Sequence, residues 1–569
     1  MRILFAALHL AYFRNFDSVV RELAARGHQV HLTGDEPEAM GGQGLAETLA
    51  AEHPGRVTWD LLPSLEDEPW FDAARRMRVS LDYVRVLDSR YPDKLRVRTE
   101  ERAARVVRWA SALPLVGAPF TLAALKRFER LMPTGDAMVA YLRRHAPDVV
   151  VLTSLTYSRS QQLDLLKAAR ELRIPVAAAI MSWDHLSSKA LLHVVPERVL
   201  VWNQVQQDEA VTMHGLPAGR VVATGAQCYD QWFTRTPERS REAFCGAMGL
   251  RSDRPFVLWV HSALSPTPQP PEPQLVTRWV DALRAHPDPR LRELGVLVRP
   301  HPERLKEWAG ISLDGYDNVA FHGRNPIDRA SRDDYFESLY YSRAVVGLVT
   351  SAFLEAAIVG RPVLTFTLPE YRMHQEEMIH FRYLMNVAGG LLHMAPDLDA
   401  HFPQLAEAVA LDGARDERNR RFLAAFIRPA GLDVAATPAV ATAIETVARD
   451  GAHPDPSFER GVWMQPVAMA LAVRSRTGIG RWLMNDRRAD EWDEHADATE
   501  RTVAARIKAK DDWQRYKVRR KASRYRRDLA LAVGKRVKHS WRWARHRAGV
   551  TVHRALHVTG LRRSDASGD

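Results

Sequence analysis

Polar side chains suited to phosphate and sugar recognition follow three short apolar runs in the second half of the sequence. They form a His-Ser pair, an Arg-Pro-His-Pro motif, and a Thr-Ser pair with a glutamate one turn later: His261, Ser262, Arg299, His301, Thr350, Ser351 and Glu355. An arginine fork and the free amides of a helix start neutralise a phosphate ester, and a carboxylate accepts hydrogen bonds from sugar hydroxyls. These residue types predict a binding pocket for an anionic phosphate ester that carries ribose or sugar hydroxyls.

The stretch VTSAFLEAAIVGRPVLTF, residues 349–366, predicts a short helix that Ser351 caps and that Gly-Arg-Pro ends. The alternative interpretation is a capped core helix with Glu355 solvated at its mouth. The sequence contains neither a Gly-x-x-x-x-Gly-Lys-Ser/Thr loop nor a Gly-x-Gly-x-x-Gly motif. ATP hydrolysis and NAD chemistry are therefore weakly supported.

The first half of the chain offers three candidates for a general base. Asp184 and His185 lie in SWDHLSSK, which follows an apolar run at 176–180, and His9 follows the first apolar run of the chain. Any of them could accept the proton of an acceptor hydroxyl in an inverting displacement. The alternative is that Asp184 caps a helix and that both histidines pack in loops. No HxxxH pair occurs before residue 500 and no Asp-x-Asp ends a predicted strand, so we expect no metal. A helix dipole and arginine would neutralise an anionic phosphate group without one.

Short apolar runs alternate with amphipathic stretches along most of the chain, which predicts repeated βαβ units and parallel sheets. The pattern occurs once up to about residue 238 and again from Phe256. We therefore predict an α/β fold of two consecutive Rossmann-like, doubly wound domains at 1–238 and 239–433. In such sheets the ligand lies beyond the carboxyl ends of the strands, where the candidate residues are.

Charge is distributed unevenly along the 569 residues. The net charge is +11, but residues 501–569 carry +16 and the remaining 500 residues carry −5. Two cysteines, Cys228 and Cys245, are too few for a disulfide framework or a metal cluster, so we expect a reducing cytosol. The N-terminus predicts a buried strand rather than a signal peptide.

The segment at 500–569 predicts a basic helical tail with aromatic residues interleaved among its cations: Trp513, Tyr516, Tyr525, Trp541 and Trp543. This composition favours an anionic membrane surface over nucleic acid, with a solvated or disordered tail as the alternative. Residues 434–499 are expected to form a helical return and linker region. The uncharged run 109–125 is too short and too rich in Pro and Gly for a transmembrane helix, which leaves core packing, a lid, an interdomain helix pair or a membrane-dipping hairpin.

Several motifs together resemble the GT-B-type transferases. In the second half they are VRPHPE at 298–303 and DYFESLYYSRAVVGLVTSAFLEAAIVGRPVLTF at 334–366; in the first half they are SWDHLSSK, VWNQVQQDEAVTMHG at 201–215 and VVATGAQCYDQWF at 221–233. The nearest resemblance is to bacterial capsule and cell-wall polymer proteins related to CDP-glycerol glycerophosphotransferases, and it covers roughly residues 1–430.

One departure from that group changes the expected reaction. Leu348-Val-Thr-Ser351 stands where glycerophosphotransferases usually have Asp-Tyr-Ser-Ser, and Glu355 followed by Gly-Arg-Pro is more similar to nucleotide-sugar glycosyltransferases and 2-epimerases. The resemblance thus implies a cofactor-free glycosyltransferase that serves a surface-polysaccharide or lipid-linked acceptor at the inner face of the cytoplasmic membrane. The alternatives are a glycerophosphotransferase, a 2-epimerase, or a non-catalytic protein that binds nucleotide-sugar or nucleic acid, because a fold alone does not fix activity.

Overall fold

The structure is a computed structural model that describes residues 1–35, 41–114, 117–158, 160–262, 271–323, 326, 329–411, 417–453, 465–475 and 478–485. The basic tail predicted at 500–569 lies outside the described residues, as does the end of the predicted return region from residue 486. Within the described residues, no helix combines the length and the apolar character needed to cross a lipid bilayer.

The first sheet has seven parallel strands in the order β3-β2-β1-β4-β5-β6-β7. The strands are Arg2–Ala7 (β1), Gln29–Gly34 (β2), Val57–Leu61 (β3), Val149–Leu152 (β4), Val176–Ala179 (β5), Arg198–Val201 (β6) and Val221–Ala223 (β7). In the central strand β1, Ile3 pairs with Val30 of β2 and with Val149 of β4. Alternate β1 residues enter two different cores, one on each face, so the strand has to be apolar throughout.

The second sheet has six parallel strands in the order β10-β9-β8-β11-β12-β13. Its strands are Phe256–Val260 (β8), Gly295–Arg299 (β9), Val319–Phe321 (β10), Val345–Val346 (β11), Val363–Phe366 (β12) and His393–Ala395 (β13). Val257 and Trp259 face one core while Phe256 and Leu258 face the other. The chain thus has two Rossmann-like, doubly wound domains in the GT-B arrangement that the sequence predicts.

Helices cover both faces of each sheet. Those between the strands of the first sheet are Asp17–Ala25 (α1), Gly42–Glu52 (α2), Phe71–Arg85 (α3), Asp93–Arg102 (α4), Arg105–Ser111 (α5), Gly117–Leu131 (α6), Asp136–His145 (α7), Gln162–Glu171 (α8), His185–Ser188 (α9) and Gln204–Thr212 (α10). Those that follow up to the end of the second sheet are Asp230–Thr234 (α11), Arg241–Met248 (α12), Glu272–Arg284 (α13), Pro289–Arg292 (α14), Arg329–Tyr341 (α15), Ala352–Ile358 (α16) and Ile379–Asn386 (α17). The last are Leu398–Ala410 (α18), Glu417–Phe426 (α19), Thr437–Asp450 (α20), Gln465–Ser475 (α21) and Gly478–Leu483 (α22).

Each sheet reverses its strand order beside its first strand, between β1 and β4 and between β8 and β11. Similar hydrogen bonds span these two switch points. The Leu8 amide donates to Ser154 Oγ at 3.1 Å in the first sheet, and the Val349 amide donates to Ser262 Oγ at 3.1 Å in the second. Ligands of doubly wound sheets bind in the crevice at this point, so the loops after β1 and β11 are the first places to look for a site.

After the second sheet, the chain returns to the first domain. Helix α20 buries Val440 and Ile444 in the core that contains Phe5 of β1, and α21 packs against α3 and α6. Side chains also join the two domains directly. The Tyr383 hydroxyl of α17 donates to the Glu209 carboxylate of α10 at 2.6 Å.

The structure corrects two local predictions. The apolar run 390–393 predicts a strand, but β13 begins only at His393, because Gly389 and Gly390 have φ of +90° and +83° and form a turn. The stretch 474–484 predicts one helix, but it is divided between α21 and α22. The run at 109–125 divides between α5 and α6, and only one of its faces packs in a core, since Phe120 is 73% exposed.

Candidate active site

Arg299, Tyr335 and Glu355 form a connected group at the carboxyl edge of the second sheet. Arg299 ends β9, and its guanidinium carbon lies 5.2 Å from the centre of the Tyr335 ring. Tyr335 lies on α15, and its hydroxyl donates a hydrogen bond to the Glu355 carboxylate on α16. Two of the residues predicted to bind donor are thus brought to the same place, and a tyrosine that the sequence analysis missed bridges them.

Arg299 is a buried cation with little compensation from the protein. It is 6% exposed, and its only hydrogen bond among the described residues is a long one, 3.4 Å, from Nη1 to the Asp334 carbonyl oxygen. No carboxylate within the described part of the chain forms a salt bridge with it. Burial lowers its pKa, against the weaker opposing charges of Tyr335 and Asp334. A buried guanidinium without a counter-charge is costly unless an anion binds beside it.

Glu355 is also held in an unfavourable electrostatic environment. Burial raises its pKa from 4.5 to about 7, although the Tyr335 hydrogen bond and the charge of Arg14 act in the opposite direction. At neutral pH the carboxylate is therefore divided between its ionised and protonated forms. Groups that burial shifts towards neutral pH in a crevice are characteristic of functional sites, although structural networks produce them as well.

His261 and Ser262 are buried within the second domain and bond to it. His261 is 4% exposed, burial lowers its pKa to about 4, and its Nδ1 lies 2.9 Å from the Ser262 carbonyl oxygen. The Ser262 amide donates to Glu272 at 2.9 Å, and its hydroxyl accepts the Val349 amide. These contacts give the pair a supporting role for the loop after β11. His301 is half-buried and precedes a short 3₁₀ segment, Pro302–Trp308.

Ser351 is not the helix cap that the sequence predicts. Its φ and ψ of −64° and −21° are already helical, and its side chain makes no capping hydrogen bond. The hydroxyl instead accepts a hydrogen bond from Trp183 Nε1 of the first domain at 3.1 Å. Thr350 Oγ1 accepts the Ala352 amide at 3.3 Å. The Ser351 side chain therefore makes a contact between the domains, and the predicted anion site at this helix start stays a prediction.

The loop after β1 faces the Arg299–Tyr335–Glu355 group from the first domain. It begins at His9 and continues through a 3₁₀ segment, Leu10–Asn15. Arg14 on this segment is close enough to Glu355 for its charge to lower the glutamate pKa. His9 is 8% exposed, and its ring lies edge-on to Tyr12 at 5.5 Å. His9 therefore lies at the switch point of the first sheet, on the loop that faces the candidate donor pocket.

Asp184 organises the SWDHLSSK loop through both of its carboxylate oxygens. They accept hydrogen bonds from Ser182 Oγ at 2.6 Å and from Ser188 Oγ at 2.9 Å. Burial alone would raise its pKa, but the charges of His185, Lys189 and His380 and the Ser182 hydrogen bond lower it well below the usual range. A carboxylate held in this way is ionised but is a weak base.

His185 lies deeper in the same loop. It is 4% exposed, and burial lowers its pKa to about 4, so the ring is neutral at pH 7. Its Nε2 lies 3.3 Å from the Tyr157 hydroxyl, and Tyr157 packs 6.1 Å from Tyr12. Tyr12 and Tyr157 thus connect the rings of His9 and His185 along the edge of the first sheet.

No protein-family model and no curated protein matches the chain. Among solved structures, similarity extends to a glycosyltransferase from Rickettsia africae, with a TM-score of 0.46 and 10% identity over 79% of this chain and 99% of that one. It extends also to a UDP-GlcNAc 2-epimerase from Methanocaldococcus jannaschii, with a TM-score of 0.43 and 12% identity over 78% of this chain and 99% of that one. A UDP-GlcNAc 2-epimerase from Neisseria meningitidis bound to UDP-GlcNAc has a TM-score of 0.44 and 12% identity over 78% of this chain and 100% of that one.

One group of side chains within the described residues has metal-ligand chemistry: His31, Asp60 and His145, whose ligating atoms lie within 4.8 Å of one another. His31 Nε2 is 3.0 Å from Asp60 Oδ1, and His145 Nε2 is 3.4 Å from Asp60 Oδ2. The group is formed by β2, β3 and the end of α7, and the rings of the two histidines stack with centres 4.0 Å apart. It belongs to neither switch point and contributes nothing to the candidate site.

Three members of the site are absent from the sequence predictions. Arg14, Trp183 and Tyr335 lie near predicted residues in the chain, but each acts through a partner more than 15 positions away. Trp183 also packs edge-on to the ring of His380 at 5.1 Å. The only sequence indication that Arg14 and Trp183 belong to the site is their position, because each of them follows a predicted strand. Tyr335 is in mid-helix, where no local pattern separates it from a core tyrosine.

Proposed function

We propose that the protein is a glycosyltransferase that moves a sugar from a nucleoside-diphosphate donor to a hydroxyl group of a surface-polysaccharide or lipid-linked acceptor. The observation that carries the proposal is the buried Arg299 guanidinium, which lacks a carboxylate partner among the described residues and lies beside Tyr335 and Glu355. A diphosphate supplies the missing charge, and the adjacent carboxylate suits the hydroxyls of a ribose or a sugar.

The proposed reaction divides between the domains. In the second domain, Arg299 stabilises the negative charge that grows on the diphosphate as its bond to the sugar breaks. In the first domain, His9 takes the proton from the acceptor hydroxyl as the new glycosidic bond forms. Asp184 holds the neighbouring loop, and the Trp183–Ser351 hydrogen bond sets the domains in register across the crevice.

A panel of nucleotide donors tests the proposal directly. We expect thermal protection of the full chain by one nucleotide-sugar, followed by transfer of its sugar to a hydroxyl acceptor. Protection by CDP-glycerol with transfer of glycerol phosphate would favour the glycerophosphotransferase alternative. Conversion of UDP-GlcNAc at C2 without an acceptor would favour the epimerase. Binding with no turnover of any donor would identify a non-catalytic binding protein.

The basic tail is proposed to hold the enzyme at the inner face of the cytoplasmic membrane. The support is charge: residues 501–569 carry +16 and the rest of the chain −5. A cation held near an anionic bilayer contributes about 1 kcal/mol, and the interleaved Trp and Tyr residues suit headgroup depth. A lipid-linked acceptor would be found at this surface, which favours a membrane over nucleic acid.

Replacing Arg299 by Ala is expected to weaken binding of the nucleoside diphosphate by about 1.5–3 kcal/mol, because the substitution removes a hydrogen-bonding charge from a buried site. Isothermal titration calorimetry with the donor identified by the panel measures the loss. Arg361 is the matched control: its guanidinium carbon lies 5.7 Å from the Tyr340 ring, but it precedes β12 at the opposite sheet edge. Arg361→Ala should leave affinity unchanged, and equal losses in both variants would contradict the assignment.

Donor affinity is expected to rise with pH through about pH 7. Donor hydroxyls would donate to the ionised Glu355 carboxylate, whose pKa burial raises to about 7, so binding favours the deprotonated form. Between pH 6 and 8 the ionised fraction grows about tenfold, and affinity should follow. Glu355→Gln should abolish this dependence, while Glu272→Gln should retain it, since burial raises the Glu272 pKa to about 7 but its carboxylate is occupied by Trp259 and Ser262. An identical profile in Glu355→Gln would contradict the role of Glu355.

A further inference from the structure

The outer surface of the first domain carries a cluster of exposed large apolar side chains, here called the apolar patch: Trp109, Leu113, Phe120, Leu471, Ile479 and Trp482. Phe120 is 73% exposed, Ile479 67% and Leu471 60%. The patch spans four helices that pack together, since α22 contacts α5 and α21, and α21 contacts α6. The rings of Trp109 and Trp482 lie 5.4 Å apart and join its two chain segments.

Helix α21 has the reverse of the usual pattern of a surface helix. Its small residues Ala468 and Ala472 are buried against the protein, while Val467, Leu471 and Val473 face outward. A helix that only had to cover the domain would bury its large apolar side chains and expose polar ones. The outward apolar face of α21 therefore indicates contact with an apolar environment that the described part of the chain does not provide.

Positive charges predominate around the patch. Residues 103–128 and 465–485 contain seven Lys or Arg and no Asp or Glu. Arg108 is paired with Glu100 at 3.1 Å, so the other cations carry the excess charge. Arg105 lies over the Trp482 ring at 5.1 Å and also donates to the Trp482 carbonyl oxygen, so cation and indole are held together. Arginine beside tryptophan, around a band of aliphatic side chains, is the composition of a protein surface that enters the headgroup region of a bilayer.

We propose that the apolar patch docks on an anionic phospholipid bilayer, with Phe120, Leu471 and Ile479 inserted among the acyl chains and the surrounding arginines against lipid phosphates. Charge decides against two other occupants. A second copy would bring two cationic rims together, and the +16 tail would be repelled by the same rim. This surface goes beyond the proposed function, because it belongs to the folded first domain and depends neither on sugar transfer nor on the tail.

A fluorescent label at the patch reports insertion whatever the tail does. The full chain with Phe120→Cys, labelled with an environment-sensitive dye, is mixed with vesicles of phosphatidylglycerol and phosphatidylcholine. Leu411→Cys is the control, because Leu411 is 54% exposed at the end of α18 in the second domain. Unsubstituted protein gives the background from Cys228 and Cys245. We expect a blue shift and quenching by brominated lipid at position 120 and neither at position 411.

A substitution test complements the label. The triple variant Phe120→Ser, Leu471→Ser and Ile479→Ser should bind phosphatidylglycerol vesicles at least about tenfold more weakly in 0.5 M salt, where tail attraction is screened. Leu411→Ser should bind as the unsubstituted chain does. The proposal is overturned if the chain binds vesicles while the label at 120 stays in water, or if the triple variant binds equally well. A label shift that needs concentrated protein and no lipid would equally overturn it, in favour of a second copy.

Discussion

Replacing His9 by Ala is expected to lower turnover by about 10²–10⁴-fold while donor affinity changes by less than about twofold. The two effects separate because His9 lies on the first-domain loop after β1, whereas the proposed donor contacts belong to the second domain. Losing a general base slows the chemical step but leaves the diphosphate contacts intact. Single-turnover kinetics at saturating donor, together with calorimetric donor binding, separate the two quantities.

Two neighbours serve as controls for this prediction. His185→Ala removes an imidazole that is 4% exposed and one strand further from the switch point, so it should have a smaller effect. Asp184→Asn keeps the shape of the loop but weakens its hydrogen bonds to Ser182 and Ser188, so it should mainly raise the KM for the acceptor. If His185→Ala is the variant that loses turnover, the base is His185. Full activity in all three variants would exclude a base from this edge.

The fold could be predicted because doubly wound sheets leave a strong local signal. Strands such as Val149–Leu152 and Phe256–Val260 are buried on both faces and cannot alternate polar with apolar residues. The apolar pattern does not predict where a strand ends when turns and contacts with neighbouring strands set the backbone. Strand β11 has only Val345 and Val346, and at Gly347 the backbone passes so close to β8 that a Cβ would lie 2.7 Å from the Val260 carbonyl oxygen.

The sequence predicts where in the fold the site residues lie, but it does not predict which side chains they contact. Residues at strand ends could be named because parallel strands bring their carboxyl ends to one edge. Ser351 has the residue type of a helix cap, and its position before a helix is correct, yet Trp183 from another domain takes its hydroxyl. A contact between residues 168 positions apart leaves no trace in either local sequence. For the same reason, the sequence does not reveal that Tyr335 joins Arg299 to Glu355.

The first domain contains a buried charge network that is expected to carry much of its stability. Arg78 of α3 forms paired hydrogen bonds with Glu129 of α6, at 2.9 Å, and with Asp164 of α8, at 2.6 and 2.8 Å. Lys167 completes it, with Nζ 3.3 Å from Glu129. Burial alone would raise the Glu129 pKa, but Arg78 and Lys167 lower it to about 2. Two cations thus neutralise two carboxylates where α3, α6 and α8 meet.

Replacing Arg78 by Met is expected to lower the free energy of unfolding by about 3–5 kcal/mol at pH 7, because it leaves two buried carboxylates against one lysine. Urea unfolding followed by circular dichroism measures the loss. Arg254→Ala is the surface control: its partner Glu293 is exposed, so at most about 1 kcal/mol should be lost. The difference in free energy of unfolding between Arg78→Met and the unsubstituted chain should become smaller as pH falls. The buried carboxylate that has lost its cation binds a proton more readily, and protonation removes its uncompensated charge.

A second substitution decides whether charge or packing causes that loss. Adding Asp164→Asn to Arg78→Met leaves Lys167 opposite Glu129, which restores a neutral pair in the buried space. If uncompensated charge is the cause, the double variant should be more stable than Arg78→Met alone, even though it lacks one more native hydrogen-bonding group. If the two losses simply add, the network acts through packing and hydrogen bonds, and the charge balance of the helical layer is unimportant. The comparison needs no assumption about activity, because every residue in it lies away from both switch points.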